Sequence, residues 1–99
     1  VEVINALKIE VRPTTKEDII QKQLPPNVSG LLITKIEPDS PINYLKINDI
    51  IVEAGKRKIK SANQLNNLVN TALKSQNKTI LIAIFNNQNQ KRYIGVKLD

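Results

Sequence analysis

The fold of this 99-residue chain is decided by one stretch, Gly30-Leu31-Leu32-Ile33-Thr34-Lys35-Ile36-Glu37-Pro38-Asp39-Ser40-Pro41. Its first half is mostly apolar and rich in β-branched residues, which predicts a central strand. Pro38-Asp39-Ser40-Pro41 predicts a turn. Ser40 before Pro41 also matches the cap and first turn of a short helix, expected around Ile42–Leu45.

Downstream of this stretch, turns and a strand alternate. Lys46-Ile47-Asn48-Asp49 predicts a tight turn in which Asn48 takes a positive φ. Ile50-Ile51-Val52-Glu53 predicts a strand. Gly55-Lys56 then predicts a hairpin turn, because Gly enters the left-handed region at little steric cost.

The second half predicts a helix followed by a hairpin. The helix begins at Ser61, and its apolar residues recur at helical spacing: Leu65, Leu68, Val69, Ala72 and Leu73. Lys78 to Phe85 and Lys91 to Leu98 predict two strands, joined by the turn Asn86-Asn87-Gln88-Asn89-Gln90.

Upstream, Val1 to Ile4 is a short β-branched run, and Ile9 to Arg12 alternates apolar and polar residues as a half-buried strand does. Pro13 ends that strand. A helix is predicted from Thr14 to Gln23, capped by a Thr with an acidic residue after it. The order of elements predicts one α+β domain spanning 1–99, with a sheet curled over a single core.

Composition excludes several functions. The chain contains neither His nor Cys, which removes the usual general base, the strongest nucleophile, disulfides and the commonest metal ligands. We therefore expect no enzyme activity, metal or other cofactor. The net charge is +6, but the charges are dispersed and the chain has three aromatics, so we expect no nucleic acid partner. The densest basic run, Lys56-Arg57-Lys58, is interpreted as a solvated loop.

Two further expectations concern the setting of the chain. No apolar stretch approaches the roughly 20 residues of a membrane helix, so no integral membrane segment is expected. The chain begins at Val1, without a Met or a charged-then-apolar leader. It is therefore interpreted as a piece of a longer protein.

Three segments together resemble PDZ domains of bacterial proteases. The stretch from Gly30 to Pro41 resembles their apolar strand and Pro-x-Ser-Pro turn, and Leu45 to Glu53 resembles their Gly-Asp-Val-Ile signature. Ser61-Ala62-Asn63-Gln64-Leu65 resembles the start of the helix that walls the peptide groove. The resemblance implies a PDZ-like, partly open β-barrel or sandwich of five to six strands capped by two helices, with the circularly permuted topology of the protease type.

The front of the chain narrows the resemblance to the Do/HtrA (high-temperature-requirement) serine proteases. A helical insertion such as Thr14 to Gln23 is similar to those in this family, and the phrase from Leu7 to Pro13 resembles the start of the second, C-terminal PDZ domain. This implies a periplasmic or cell-envelope protein of quality control and stress response. Its trypsin-like catalytic domain would lie elsewhere in the parent protein.

The resemblance also implies a mechanism, in which an extended peptide adds a strand to the receiving strand Ile9–Arg12. A loop of free N–H groups before that strand would hold the ligand's terminal carboxylate. The implied peptide-binding residues are Asn5, Ala6, Leu7, Lys8, Ile9, Glu10, Val11, Ala62, Asn66 and Val69. The implied partners are protein C-termini, unfolded polypeptide segments and sister domains of the same protease oligomer.

Two positions depart from the family pattern. Lys8 stands where the loop normally has Gly, and Asn66 stands at a groove position that is usually apolar. An L-residue takes a left-handed conformation at a cost of roughly 1–2 kcal/mol. Lys8 is interpreted as a solvated lysine, or as an ammonium that helps to hold a carboxylate. Both departures favour an alternative function, an oligomer-contact domain with an occluded groove.

Overall fold

The computed structural model describes residues 2–25 and 28–98, so the prediction for Val1 lies outside the described residues. The elements in chain order are β1 (Glu2–Ile4), β2 (Ile9–Pro13), α1 (Lys16–Gln21), β3 (Leu31–Ile36), β4 (Ile50–Ala54), β5 (Arg57–Lys58), α2 (Ala62–Leu73), β6 (Thr79–Phe85) and β7 (Lys91–Lys97).

The strands form one antiparallel sheet in the order β1-β2-β3-β4-β6-β7, and β5 pairs with β4 beside this path. The α+β class is as predicted. The described residues contain seven strands rather than five to six. The additional strand is β5, a two-residue strand that follows the turn at Gly55-Lys56. Gly55 and Lys56 have φ of 57° and 67°, the left-handed pair that closes a two-residue hairpin.

The sheet buries apolar residues on both faces, so the expectation of a single core is wrong. Neighbouring residues of one strand alternate between the faces. On β3, Leu31 and Ile33 pack in the main cluster and Leu32 packs in a second one. The second cluster, which also receives Ile19 of α1 and Val28, covers the outer face of the sheet. This covering explains why β6 is apolar at the consecutive positions 82–85, which alternate between the two clusters.

Helix α1 begins and ends inside its predicted range. Its first turn is a capping box, in which the Asp18 N–H donates to Thr15 Oγ1 and the Thr15 N–H donates to the Asp18 carboxylate. The helix therefore starts at Lys16 rather than Thr14. It ends at Gln21, and Gln23 already has a left-handed φ of 56°.

The predicted short helix around Ile42–Leu45 is wrong. Residues 41–44 form successive turns, with Asn43 N–H bonded to the Ser40 carbonyl and Leu45 N–H bonded to the Ile42 carbonyl. Four residues provide too few such bonds to propagate a helix. The Asn48 prediction is confirmed, since its φ is 79°.

Candidate functional site

The sequence predicts a peptide groove between the edge of β2 and helix α2, and in the structure strand β1 packs against both of these elements. The β3 strand pairs with one edge of β2 and β1 pairs with the other. Helix α2 contacts both β1 and β2. The strand β1 therefore lies where a peptide would have to enter.

The filling strand runs antiparallel to β2 in a defined register. Glu2 lies opposite Val11, Val3 opposite Glu10, and Ile4 opposite Ile9. The carboxyl end of β1 thus lies beside the loop of residues 5–8. A peptide held with its C-terminus at that loop would have this same direction.

The inner side of this loop bonds to the chain's own carbonyls. The Leu7 N–H donates to the Ile4 carbonyl at 3.1 Å, and the Lys8 N–H donates to the Asn5 carbonyl at 3.2 Å. These are N–H groups that the resemblance assigns to a ligand carboxylate. In the structure, main-chain carbonyl oxygens take that acceptor role.

The outer side of the loop is held by the turn at residues 37–40. The Glu37 N–H donates to the Lys8 carbonyl at 3.0 Å, and Ser40 Oγ donates to the Leu7 carbonyl at 2.5 Å. Lys8 Nζ pairs with the Asp39 carboxylate, which lowers the pKa of Asp39 through that hydrogen bond. The loop is therefore fastened independently of what occupies the groove.

Lys8 has a φ of 54°, the left-handed conformation for which the family pattern uses Gly. Its ammonium reaches a carboxylate of its own chain, Asp39, at the protein surface. The interpretation of Lys8 as a solvated lysine agrees with its exposed side chain, which also forms a surface ion pair with Asp39.

Helix α2 contributes one polar and several apolar groups to the groove wall. The Asn66 amide donates to the Val3 carbonyl at 3.3 Å. Ile4 is fully buried, in the same apolar cluster as the groove residues Leu7, Ile9 and Val69. The wall therefore offers an apolar pocket with one amide donor beside it.

Seven of the ten predicted site residues are tied to β1: Ile9, Glu10 and Val11 pair with it, Asn66 bonds to it, and Leu7, Ala62 and Val69 share an apolar cluster with Ile4. Five of them are buried: Leu7, Ile9, Val11, Ala62 and Val69. Glu10 differs, because strand alternation turns its side chain away from this pocket, and Lys35 Nζ lies 3.8 Å from its carboxylate.

Sequence reasoning missed the roles of Val3, Ile4 and Ser40. A signal for the first two was available, because a β-branched pair, a four-residue turn and an alternating strand together indicate a hairpin. The Ser40 contact has no such signal, since 33 positions separate it from Leu7.

Outside the groove, the protein surface has wider concavities. One of about 310 Å³ is lined by Pro25, Val28, Phe85 and neighbouring residues on the outer face, and another of about 350 Å³ lies between Tyr44 and Arg92. Neither brings together the strand edge and N–H groups that receive a peptide. A smaller concavity of about 230 Å³ lies beside the loop of residues 5–8, and its lining includes Asn5, Lys8, Ile9 and Glu10.

Comparison with solved structures finds chains that share this architecture. A chain of the HtrA-type protease AlgW with decapeptide matches with a TM-score of 0.68 and 21% identity, over 92% of this chain and 27% of that one. A variant of the same protease with decapeptide matches with a TM-score of 0.72 and 20% identity, over 93% of this chain and 27% of that one. The chain has a PDZ-like fold.

This PDZ-like domain spans about 27% of the length of the protease chains that it matches. Comparisons with protein-family models and with curated proteins give no match. Among residues 2–25 and 28–98, neither helix is long and apolar enough to cross a membrane.

Proposed function

We propose that this chain is a peptide-binding, regulatory PDZ module of a periplasmic or cell-envelope serine protease. It binds C-terminal or extended hydrophobic segments of proteins by adding them as a strand to β2. One observation carries the proposal: the groove between β2 and α2 already accommodates an antiparallel strand with a buried aliphatic side chain at the loop.

The groove supplies each element that strand addition needs. The edge of β2 provides main-chain hydrogen bonds, which give affinity without sequence preference. The pocket beside Leu7 and Ile9 selects an aliphatic side chain. The Leu7 N–H, which now donates to the Ile4 carbonyl of β1, becomes available to a terminal carboxylate when a peptide replaces β1.

The setting of the module follows from its likeness to peptide-bound AlgW chains and from its composition. A chain without His lacks the general base of a trypsin-like Ser/His/Asp triad, so the proposal places catalysis on another domain of the parent protein. Within that parent, this would be the second, C-terminal PDZ domain, with the permuted strand order of the protease type. Quality control of misfolded proteins is the corresponding cellular role.

A second candidate is an oligomer-contact domain that does not use its groove. The burial of Ile4 and the filled edge of β2 favour it, because they leave no open site. Its partners would be sister domains of the protease oligomer. The two candidates differ in whether added peptide reaches β2.

An NMR titration of the labelled domain tests the proposal, using decapeptides that end in Ile, Val or Leu with a free carboxylate. The expected shifts concentrate at residues 7–12 and 62–69, and they diminish when the carboxylate is amidated. A decapeptide ending in Asp serves as the matched control. Absence of shifts at millimolar peptide would favour the oligomer-contact function.

A further inference from the structure

We propose that β1 is an intramolecular ligand, which a peptide partner must displace before it binds. The inference rests on the proposed function, since it assigns regulation to the same groove. Three features of β1 support the inference: its direction, its buried anchor residue Ile4, and the weak attachment of the rest of the strand.

A peptide and β1 compete for the same main-chain hydrogen-bonding groups of β2. Its N–H and C=O groups on one edge are paired with β3, and those on the other edge are paired with β1. A strand has only two edges, so an incoming peptide cannot add to β2 while Glu2–Ile4 remains. Peptide and β1 exclude each other.

The anchor of β1 defines the chemistry of the partner that replaces it. Ile4 has 0% exposure, and it packs with Leu7, Ile9 and Val69 in the main cluster. Removing it without substitution would leave an apolar void. The displacing peptide therefore carries an aliphatic residue of about the size of Ile at the position opposite Ile9.

The remaining attachment of β1 is weak enough for exchange. The strand has three residues, and the side chain of Val3 is 50% exposed. The loop after it keeps its own bonds to residues 37–40, through the carbonyls of Leu7 and Lys8. Short segments with few buried contacts open without global unfolding, so β1 can leave while the loop stays in place.

The size of the effect depends on how often the groove is empty. The apparent dissociation constant is the intrinsic one divided by the fraction of open molecules, so a groove open 1–10% of the time binds roughly 10- to 100-fold more weakly than an open one. Variants that release β1 should recover this factor.

A disulfide between β1 and β2 tests the inference. Val3 and Glu10 lie directly opposite, and the Val3 carbonyl bonds to Asn66 on α2 rather than to β2. Such non-hydrogen-bonded pairs bring Cα atoms to about 4.5 Å, within the range that a disulfide spans. Because the chain has no Cys, Val3→Cys with Glu10→Cys creates a single bridge.

The double variant is titrated, oxidised and reduced, with an Ile-terminated decapeptide. We expect binding at least tenfold weaker in the oxidised form, and no effect of oxidant on Val3→Cys alone. Ile4→Gly, checked for folding by NMR, should bind the same peptide more tightly than the unmodified chain.

The other outcomes separate the two proposals. Equal binding by the oxidised and reduced forms overturns the intramolecular ligand and leaves peptide binding intact. Failure of the bridge to form under oxidant also overturns it, since β1 is then not paired with β2. If no form binds any decapeptide at millimolar concentration, the proposed function fails, and its regulation fails with it.

Discussion

The side-chain amide of Asn66 on α2 donates a hydrogen bond to the main-chain carbonyl of Val3 on β1, at 3.3 Å. The bond crosses from the helical wall of the groove to the strand that fills it. A polar residue at a usually apolar groove position therefore has a partner in the chain itself. It binds the main chain, so it would serve a peptide of any sequence equally well.

Asn66→Ala should loosen β1 without disturbing the helix. Loss of one partly exposed hydrogen bond costs about 0.5–1 kcal/mol, and the amides of Glu2–Ile4 should exchange several-fold faster. The measurement is hydrogen exchange followed by NMR. Asn70→Ala, at an exposed position of the same helix, is the matched control, because both substitutions change helix propensity equally. Equal exchange in the two variants would contradict a role for the Asn66 bond.

Lys8→Gly and Lys8→Ala separate backbone strain from the ion pair with Asp39. Both substitutions remove the ammonium, but only Gly relieves the left-handed φ of 54°. The Gly variant should therefore be more stable than the Ala variant by about 1 kcal/mol. Urea unfolding of the two variants measures the difference. A more stable Ala variant would show that position 8 is not held in the left-handed region.

Asp18 should make stability depend on pH below about 4. The Arg12 guanidinium donates to both Asp18 oxygens, at 2.7 and 2.9 Å, and with the Thr15 N–H it holds the pKa of that carboxyl well below its usual range. A lowered carboxyl pKa stabilises the fold above the unfolded-state value of about 3.9. This contribution is lost as pH falls from there through the folded-state pKa.

Asp18→Asn should accordingly lower the free energy of unfolding at pH 7 by about 1–2 kcal/mol. The loss stays modest because solvent screens the ion pair at the partly exposed Arg12. The difference from the unmodified chain should shrink as pH falls from 4 to 2. Urea unfolding at pH 7, 4 and 2 measures it. A constant difference across this range would mean that the carboxylate charge is not the source.

Gly30→Ala should prevent or severely weaken folding, because a Cβ there would lie 2.2 Å from the Ile51 carbonyl oxygen of the neighbouring strand. The two backbones cannot move far enough apart to relieve this contact without separating β3 from β4. We therefore expect the free energy of unfolding to fall by more than about 3 kcal/mol. Gly95→Ala on β7 meets nothing within 4 Å and is the control. Circular dichroism and thermal melts compare the two, and similar melting temperatures would disprove the close approach.

The elements were predictable where their signal is local. The apolar stripe of α2 and its Ser61 cap lie within one helix, and the Asn/Gln turn between β6 and β7 lies within one hairpin. The short helix around Ile42–Leu45 was predicted wrongly because four residues are too few to propagate one, although the Ser40 hydroxyl accepts from the Ile42 N–H. The same hydroxyl also donates to the distant Leu7 carbonyl. A local pattern does not contain that partner.

The residues of the candidate site could be named in advance, but the occupation of the groove by β1 could not. The positions around Leu7, Ile9 and Val69 were identified by the resemblance to PDZ domains, and these three residues belong to one apolar cluster in the structure. The sequence does not show whether the β-branched run at the start of the chain pairs with β2 or stays free, and the groove is filled only if it pairs. This choice is made by the burial of Ile4 against α2, 60 or so residues away in the chain.

By itself, the sequence determined the α+β class, the positions of the main strands and of α2, and the absence of His and Cys, because these depend on composition and short-range periodicity. The expected groove residues came from the resemblance to PDZ domains. Only the tertiary structure decided that the sheet is buried on both faces, that the turn at residues 37–40 fastens the loop, and that β1 occupies the edge of β2. The first two depend on contacts between distant segments, which no local pattern specifies. The third is a hairpin with a local signal, but its place beside α2 depends on burying Ile4 in a cluster built from distant parts of the chain.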